Sequence, residues 1–203
     1  MNRHAMTKLF LAPIALSLML AACDGAATAP AAVETPPLAG ATIGGPFTLT
    51  DKAGKRVSWD DFAGKYRIVY FGDTFCPDAC PTDVGVMMQG FAQFEKTHGA
   101  LAAAVQPIFI SIDPARDTPA VVGEFAAAFS PRLLGLTGSA AEVDVAAKAF
   151  KAYYAKGAQS GGGYLMDHSR VAYLMDRDGK PLSMLPVDQG AEAVAADLAK
   201  WVK

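Results

Sequence analysis

Residues 66–84 read YRIVYFGDTFCPDACPTDV and combine a strand, a loop with two cysteines and the start of a helix. Residues 66–71 are aromatic and β-branched with no polar residue after Arg67, which predicts a strand buried on both faces. Over residues 84–97, apolar side chains at three- and four-residue spacing predict a helix. A strand that leads through a loop into a helix places Cys76 near a helix N-terminus, with Pro77 suited to the first helical position.

The patterns on either side of this stretch predict an α/β domain. Residues 161–163 are three consecutive glycines and predict a flexible loop from residue 157 to 163. The other elements are predicted from periodicity, turn residues and capping boxes. They are a hairpin (47–50 and 56–58), a strand (105–112), a helix (119–129), a short strand (133–136), a helix (139–154), a hairpin (171–175 and 181–185) and a C-terminal helix. This order predicts a thioredoxin-like fold, with a central mixed sheet flanked by helices and an N-terminal β-hairpin.

The N-terminus has the pattern of an export signal. Residues 1–8 carry two basic residues, and residues 9–22 form an apolar run of 14 residues. This run is too short for a permanent span, which needs about 20 apolar residues. Residues 20–23 read LAAC, which resembles a bacterial lipoprotein signal cut before Cys23 and implies lipidation of Cys23. The alternative is a plain signal peptide in which Cys23 is incidental.

The expected domain organisation is therefore a signal peptide (1–22), a lipidated Cys23 with an Ala/Pro-rich tether (23–42) and one domain (43–203). Asp24, beside the lipidated cysteine, is typical of retention in the inner membrane of some bacteria, so we expect the periplasmic face of that membrane. The first 22 residues hold two of the 18 basic and none of the 20 acidic residues, which leaves 16 basic and 20 acidic residues, a net charge of −4. That charge argues against nucleic acid as a partner.

Two cysteines remain after the lipidated one, in an oxidising compartment. Cys76 and Cys80 are four residues apart, so on a helical turn their Cβ atoms would lie about 5–6 Å apart. Two thiolates at that distance can bind one metal ion, and they can also form a disulfide. Soft thiolate ligands select Cu(I) or zinc among the available ions.

A third ligand is predicted from the histidines. His98 ends a helix beside Gly99 and is interpreted as a solvated residue. His168 precedes a strand whose entering loop packs against the cysteine motif in the thioredoxin topology, so we expect it to reach the sulfurs. Asp113, at the end of a buried strand, is a possible accessory oxygen ligand or a turn-forming residue before Pro114.

The motifs together resemble one family. FGDTFCPDACPTDV, SIDPARDTP, LTGS and YLMDHSRVAYLMDRDG are similar, in this order, to the Sco/SenC copper chaperones, and the resemblance covers residues 43–203. It implies a thioredoxin-like fold, one Cu(I) or Cu(II) per chain held by Cys76, Cys80 and His168, and a role in building the dinuclear copper centre of cytochrome c oxidase. The chain departs from the family at Asp73, where an aromatic residue is usual; we expect this change to alter the rim of the site but not its ligands.

The leading hypothesis is a membrane-anchored metallochaperone and not a turnover enzyme. It would accept copper from a periplasmic donor protein and pass it to subunit II of cytochrome c oxidase. The alternative is a thiol-disulfide reductase acting on the oxidase cysteines, with Cys76 as the attacking thiolate and Cys80 as the resolving thiol. A peroxiredoxin-like peroxidase is disfavoured because Thr74 lies two residues before the cysteine instead of three. A structural zinc site needs four ligands, and three are evident.

Overall fold

A computed structural model of the chain describes residues 34–160 and 163–203. The predicted signal peptide, Cys23 and most of the predicted tether lie outside these residues, as do two of the three consecutive glycines. Residues 35–203 form one compact unit. None of the helices within the described part of the chain is both long and apolar enough to cross a membrane.

Nine strands and five α-helices make up the described chain. In chain order they are β1 (Thr48–Thr50), β2 (Arg56–Ser58), β3 (Tyr66–Gly72), α1 (Ala79–Thr97), α2 (Gly99–Ala103), β4 (Val105–Ser111), α3 (Pro119–Phe129), β5 (Leu134–Leu136), α4 (Ala140–Ala149), β6 (Tyr154–Ser160), β7 (Gly163–His168), β8 (Ala172–Met175), β9 (Pro181–Leu185) and α5 (Ala191–Trp201). Short 3₁₀ turns occupy Trp59–Phe62 and Val187–Gln189.

The central sheet has five strands in the order β5-β4-β3-β8-β9. β3, β4 and β5 run parallel, whereas β8 is antiparallel to β3 and β9 to β8. Every residue of β3 is buried, as the apolar run from residue 66 predicts. Alternate side chains of β3 enter different cores, Ile68 and Tyr70 on one face and Val69 and Phe71 on the other.

Helices cover both faces of the sheet. Apolar residues of α1, α3 and α5 pack with Ile68 and Tyr70, while α4 and the β1–β2 hairpin pack with Val69 and Phe71. The predicted mixed sheet flanked by helices, with an N-terminal hairpin, is confirmed. The parallel strands β3 and β4 end side by side, at Gly72 and Ser111. The loop after β3 carries Cys76 and leads into α1, which carries Cys80, and the loop after β4 carries Asp113.

Two helix boundaries differ from the prediction. Helix α1 begins at Ala79, so Pro77 is not its first helical residue and Cys76 lies in the preceding loop. Helix α4 ends at Ala149, five residues before the predicted residue 154. Lys151 adopts a left-handed conformation with φ of 55°, and the N–H of Ala152 donates to the carbonyl of Ala147. This is a Schellman motif with lysine at the position where glycine is usual, so the sequence lacked the glycine by which a helix C-terminus is recognised.

Of the segment expected to be a flexible loop, residues 157–160 and 163 lie in the strands of a β-hairpin, and residues 161–162 lie outside the described residues. Strands β6 and β7 pair antiparallel, with Tyr154 opposite His168 and a register irregularity between Lys156 and Gln159. Glycine and alanine are frequent in residues 154–160, which hides the alternation by which a strand is recognised. The hairpin matters for function because His168 is its last residue.

Candidate metal centre

The two cysteines occupy different environments at the start of α1. Cys80 lies in the first turn and is fully buried, whereas Cys76 is half-buried in the loop before the helix. The backbone N–H of Cys80 donates to Cys76 Sγ across 3.4 Å. Both are free thiols, so the structure shows the reduced form of the pair, and the disulfide remains a prediction.

His168 was expected to reach both sulfurs, and the structure places it against that of Cys80. Its Nε2 lies 3.0 Å from Cys80 Sγ, although 88 positions separate the two residues. Its Nδ1 lies 3.0 Å from the carbonyl oxygen of Ser169. Because a carbonyl only accepts, Nδ1 carries the proton, and a neutral ring then directs the lone pair of Nε2 at the sulfur. The imidazole is thus oriented for a metal ion.

The residues after His168 attach it to the rest of the domain. The N–H of Ser169 donates to the carbonyl of Tyr153 across 2.9 Å. Arg170 makes a two-pronged ion pair with Asp83 of α1, at 2.6 and 2.9 Å. The same carboxylate accepts from the hydroxyl of Tyr70 at 2.9 Å. These contacts hold the end of β7 against the helix that carries Cys80.

Asp73 lies inside this site and not at its rim, which corrects the expectation for that position. Its side chain is only 1% exposed. Ligand atoms of Asp73, Cys80 and His168 all lie within 4.8 Å of one another, the arrangement of a metal site. Among the described residues, Cys76 Sγ does not belong to a group of this kind, so the predicted set Cys76, Cys80 and His168 needs a movement of Cys76 to close on one ion.

Asp113, the predicted accessory ligand, is buried but engaged elsewhere. One carboxylate oxygen accepts from Arg116 Nε and the other from the hydroxyl of Tyr164, at 2.9 Å. The structure therefore does not support direct ligation by Asp113. Its contacts instead hold Arg116, whose Nη2 lies 3.6 Å from Asp73 Oδ1.

Sequence reasoning missed a second buried carboxylate beside the site, that of Asp117. It accepts from the backbone N–H of Thr74 at 3.1 Å, the hydroxyl of Thr74 at 2.6 Å and the hydroxyl of Ser111 at 2.6 Å. These bonds tie the cysteine loop to the end of β4. An acidic residue four positions after Asp113, just before the N-cap Thr118, was the available signal, but it is equally typical of a turn.

Burial changes the protonation of the site. It raises the pKa of the Cys80 thiol above its ordinary value, so this sulfur is a neutral S–H in the metal-free protein. Burial, and secondly the neighbouring Asp117 carboxylate, raises the pKa of Asp73. Cys80 Sγ donates to Asp73 Oδ2 across 3.9 Å and lies 3.0 Å from His168 Nε2, and an incoming metal cation must displace the thiol proton.

The donor set fits copper. A buried sulfur, an oriented imidazole nitrogen and a carboxylate oxygen converge, and a second, half-buried sulfur lies in the loop before α1, four residues earlier in the chain. Thiolates suit Cu(I), while nitrogen and oxygen donors suit Cu(II). Such a mixed set can hold the ion in either oxidation state, and the half-buried Cys76 leaves a route for entry or exit.

Comparisons with known proteins agree with this geometry. The SCO1/SenC family profile matches residues 35–203. The human protein named SCO1 homolog, mitochondrial, is 37% identical over 162 residues, which are 79% of this chain and 53% of that protein. The chain spans about half the length of the curated relatives that it matches.

Two solved structures are informative. ScoI of Bradyrhizobium japonicum with copper bound is 40% identical, with a TM-score of 0.70, covering 78% of this chain and 99% of that one. BsSco, described with a disulfide switch as a member of the Sco family of cytochrome c oxidase assembly proteins, is 27% identical, with a TM-score of 0.58 over 84% of this chain and 98% of that one. With its thioredoxin-like fold and its Cys/His site, this chain belongs to the SCO1/SenC family.

Proposed function

We propose that this chain is a copper metallochaperone that delivers copper to the dinuclear copper site of cytochrome c oxidase subunit II. The observation that carries the proposal is the 3.0 Å approach of His168 Nε2 to the buried Cys80 Sγ, beside the half-buried Cys76. Copper is bound in the structure of the Bradyrhizobium relative, and BsSco belongs to a family of oxidase assembly proteins. Copper is here a cargo, one ion per chain, held by Cys76, Cys80 and His168.

The arrangement suits transfer better than permanent storage. Cys80 is fully buried and His168 is partly buried, while the half-buried Cys76, in the loop before the helix, remains accessible to an acceptor thiol or imidazole. Ligand exchange can therefore begin at Cys76 while the other two ligands still hold the ion. A transfer protein needs such an accessible ligand, whereas a closed structural site does not.

We further propose that the chain acts at the periplasmic face of the bacterial inner membrane, anchored by a lipid on Cys23. The support is the basic and apolar leader followed by LAAC at residues 20–23. A periplasmic copper donor protein and subunit II would then be reached by the domain on its Ala/Pro-rich tether. Mass spectrometry of the membrane fraction tests this anchor: a diacylglyceryl adduct on Cys23 is expected, and a Cys23→Ser chain should leave the membrane.

Anaerobic titration of the reduced domain with Cu(I) and Cu(II) tests the copper proposal. We expect one copper per chain and a thiolate-to-Cu(II) charge-transfer band in the wild type. That band should be lost in Cys76→Ser, Cys80→Ser and His168→Ala. His98→Ala is the matched control, since His98 stacks on Phe94 at the far end of α1. Copper binding that is retained in His168→Ala but lost in His98→Ala would contradict the proposal.

A second candidate function is thiol-disulfide exchange with the oxidase cysteines. The observation in its favour is the pair of free thiols at a helix start, with the N–H of Cys80 directed at Cys76 Sγ. Cys76, the more exposed, would attack the target disulfide, and Cys80 would resolve the mixed disulfide. His168→Ala separates the two functions, because it should abolish tight Cu(II) binding while leaving disulfide exchange largely intact.

A further inference from the structure

Asp73 is the buried carboxylate that faces the sulfur and the imidazole. It directly follows β3, and its Oδ2 lies 3.9 Å from Cys80 Sγ. Its Oδ1 accepts from the backbone N–H of Phe75 at 3.1 Å. The backbone hydrogen bond and the ion pair of this carboxylate involve Oδ1, whereas Oδ2 accepts the long hydrogen bond from Cys80 Sγ and is directed into the space shared with Cys80 and His168.

The neighbouring guanidinium does not neutralise this carboxylate by a close pair. Arg116 Nη2 lies 3.6 Å from Asp73 Oδ1, too far for a hydrogen bond. Within the described part of the chain, that buried Nη2 has no hydrogen-bond partner. Burying a carboxylate without close pairing is costly, so a second cation beside Oδ2 would complete the arrangement.

The other buried carboxylates near the cysteines are already satisfied. Asp113 is bound through one oxygen by Arg116 Nε and through the other by Tyr164. Asp117 accepts on both oxygens from Thr74 and on one from Ser111. Asp83 accepts on both oxygens from Arg170 and on one from Tyr70. Of these four acids, Asp73 alone has an oxygen turned toward the Cys80 sulfur.

We propose that Asp73 Oδ2 is a direct ligand of Cu(II), in addition to the two sulfurs and the imidazole. This inference rests on the proposed copper function and deepens it. A carboxylate oxygen is a hard donor that suits Cu(II), which favours four ligands in a tetragonal arrangement, whereas soft thiolates suffice for Cu(I). Asp73 therefore strengthens binding of the oxidised ion much more than binding of the reduced ion, and its loss favours Cu(I).

The test is Asp73→Asn, which preserves shape and removes the charged oxygen donor. Two controls are matched to it. Asp113→Asn changes a buried acid whose two oxygens are bound by Arg116 and Tyr164, and Asp167→Asn removes the same charge from the exposed residue next to His168. Affinities are measured by competition with chelators, separately for Cu(I) and Cu(II), and the Cu(II) forms are examined by electron paramagnetic resonance. Circular dichroism of the metal-free variants reports on folding.

We expect Asp73→Asn to weaken Cu(II) binding at least 10-fold, the lower end of what altered metal-site partners cost, and to change Cu(I) affinity by less than about 3-fold. Its copper hyperfine splitting should also change, while Asp167→Asn keeps wild-type values. Unchanged Cu(II) affinity and spectrum in Asp73→Asn would overturn the assignment. An equal loss for both oxidation states would overturn it too, as would a larger selective loss in Asp113→Asn.

A measurement on the wild type removes dependence on the folding of any variant. In protein labelled with ¹³C at aspartate carboxyl carbons, pulsed electron paramagnetic resonance of the Cu(II) form should show a strong ¹³C hyperfine coupling from a bound carboxylate. Its absence would contradict the assignment even if Asp73→Asn did not fold. A wild type that binds no copper would overturn the proposed function as well, whereas normal copper loading without this coupling would overturn only the role of Asp73.

Discussion

At the scale of single residues, the site depends on how its side chains are held. The His168 ring is fixed by the Ser169 carbonyl on one nitrogen and faces the edge of the Tyr70 ring, with 6.2 Å between centroids. Gly72 contributes by having no side chain, because an added Cβ would lie 3.1 Å from Cys80 Sγ. Such partners orient ligands without touching the metal, and their loss weakens binding.

The Arg170–Asp83 ion pair provides a prediction at this scale. Asp83 is 2% exposed, so replacing Arg170 with Met leaves a buried carboxylate whose remaining side-chain partner, among the described residues, is the Tyr70 hydroxyl. We expect the free energy of unfolding, measured by urea denaturation, to fall by about 1–3 kcal/mol.

The matched control is the double variant Arg170→Met with Asp83→Asn, which removes the buried charge as well. Part of the lost stability should return, because a neutral amide costs less to bury than a carboxylate. Wild-type stability in Arg170→Met would show that the pair does not anchor the segment after His168.

At the scale of elements, helix ends determine where the ligands lie. Because α1 begins at Ala79, Cys80 lies inside the helix and Cys76 outside it, which explains their different exposure. Because α4 ends at Ala149, Tyr154–Ser160 can pair with Gly163–His168 as the β6–β7 hairpin, which ends in His168. Arg116 holds this hairpin by stacking on Tyr164, with the guanidinium carbon 3.8 Å from the ring centroid.

Lys151→Gly tests the ending of α4. Lysine at φ of 55° is strained because its Cβ crowds the backbone, and glycine is not. We expect the substitution to raise the free energy of unfolding by about 0.5–1 kcal/mol, measured by thermal or urea denaturation.

Lys148→Gly is the comparison, since it makes the same change inside α4, where glycine lowers stability by about 1 kcal/mol. We therefore expect the free energy of unfolding to rise in Lys151→Gly and to fall in Lys148→Gly. A loss of stability in both would show that Lys151 is not held in the left-handed conformation.

At the scale of the whole molecule, two apolar cores lie on opposite faces of the central sheet. The site lies at the carboxyl ends of the parallel strands β3 and β4, where open α/β sheets bind ligands. The N-terminal β1–β2 hairpin covers the core that contains Val69 and Phe71, and it is joined to α4 by the ion pair between Arg56 and Glu142. Protonation of Glu142 at low pH should weaken this ion pair.

The prediction concerns the pH dependence of unfolding. The hydrogen bond from Arg56, followed by those from Ser139, lowers the pKa of Glu142 from 4.5 to about 2. The folded state binds the Glu142 proton less tightly than the unfolded state does. The contribution of ionised Glu142 to the free energy of unfolding is therefore present above pH 4.5 and is lost as pH falls toward 2. Both side chains are partly exposed, so we expect only about 0.2–1 kcal/mol, reduced by salt.

Urea denaturation of wild type and Glu142→Gln between pH 7 and pH 2 measures this contribution. The glutamine preserves the capping box with Ser139 but not the charge. The difference in stability should be largest near neutral pH and vanish near pH 2, and Glu124→Gln, in an exposed part of α3, should show a smaller difference. A difference that grows in acid would contradict the assignment of the ion pair.

The sequence alone determined the fold class and the family, and it predicted a site of Cys76, Cys80 and His168, of which the structure brings Cys80 and His168 together. These follow from local signals, namely buried strands, capping residues and a rare combination of motifs, and the likeness to relatives agrees with them. It also predicted the β1–β2 and β8–β9 hairpins, since their turns carry diagnostic residues.

Only the tertiary structure decided which acid faces the cysteines and which does not. Asp73 and Asp113 both follow buried strands, and local sequence cannot tell an oxygen directed at a sulfur from one paired with Arg116 and Tyr164. The β6–β7 hairpin was hidden for a related reason: its strands gain stability from pairing with each other and not from an intrinsic preference of their residues. Side-chain direction and strand pairing are long-range properties, set by packing among residues that are distant in the chain.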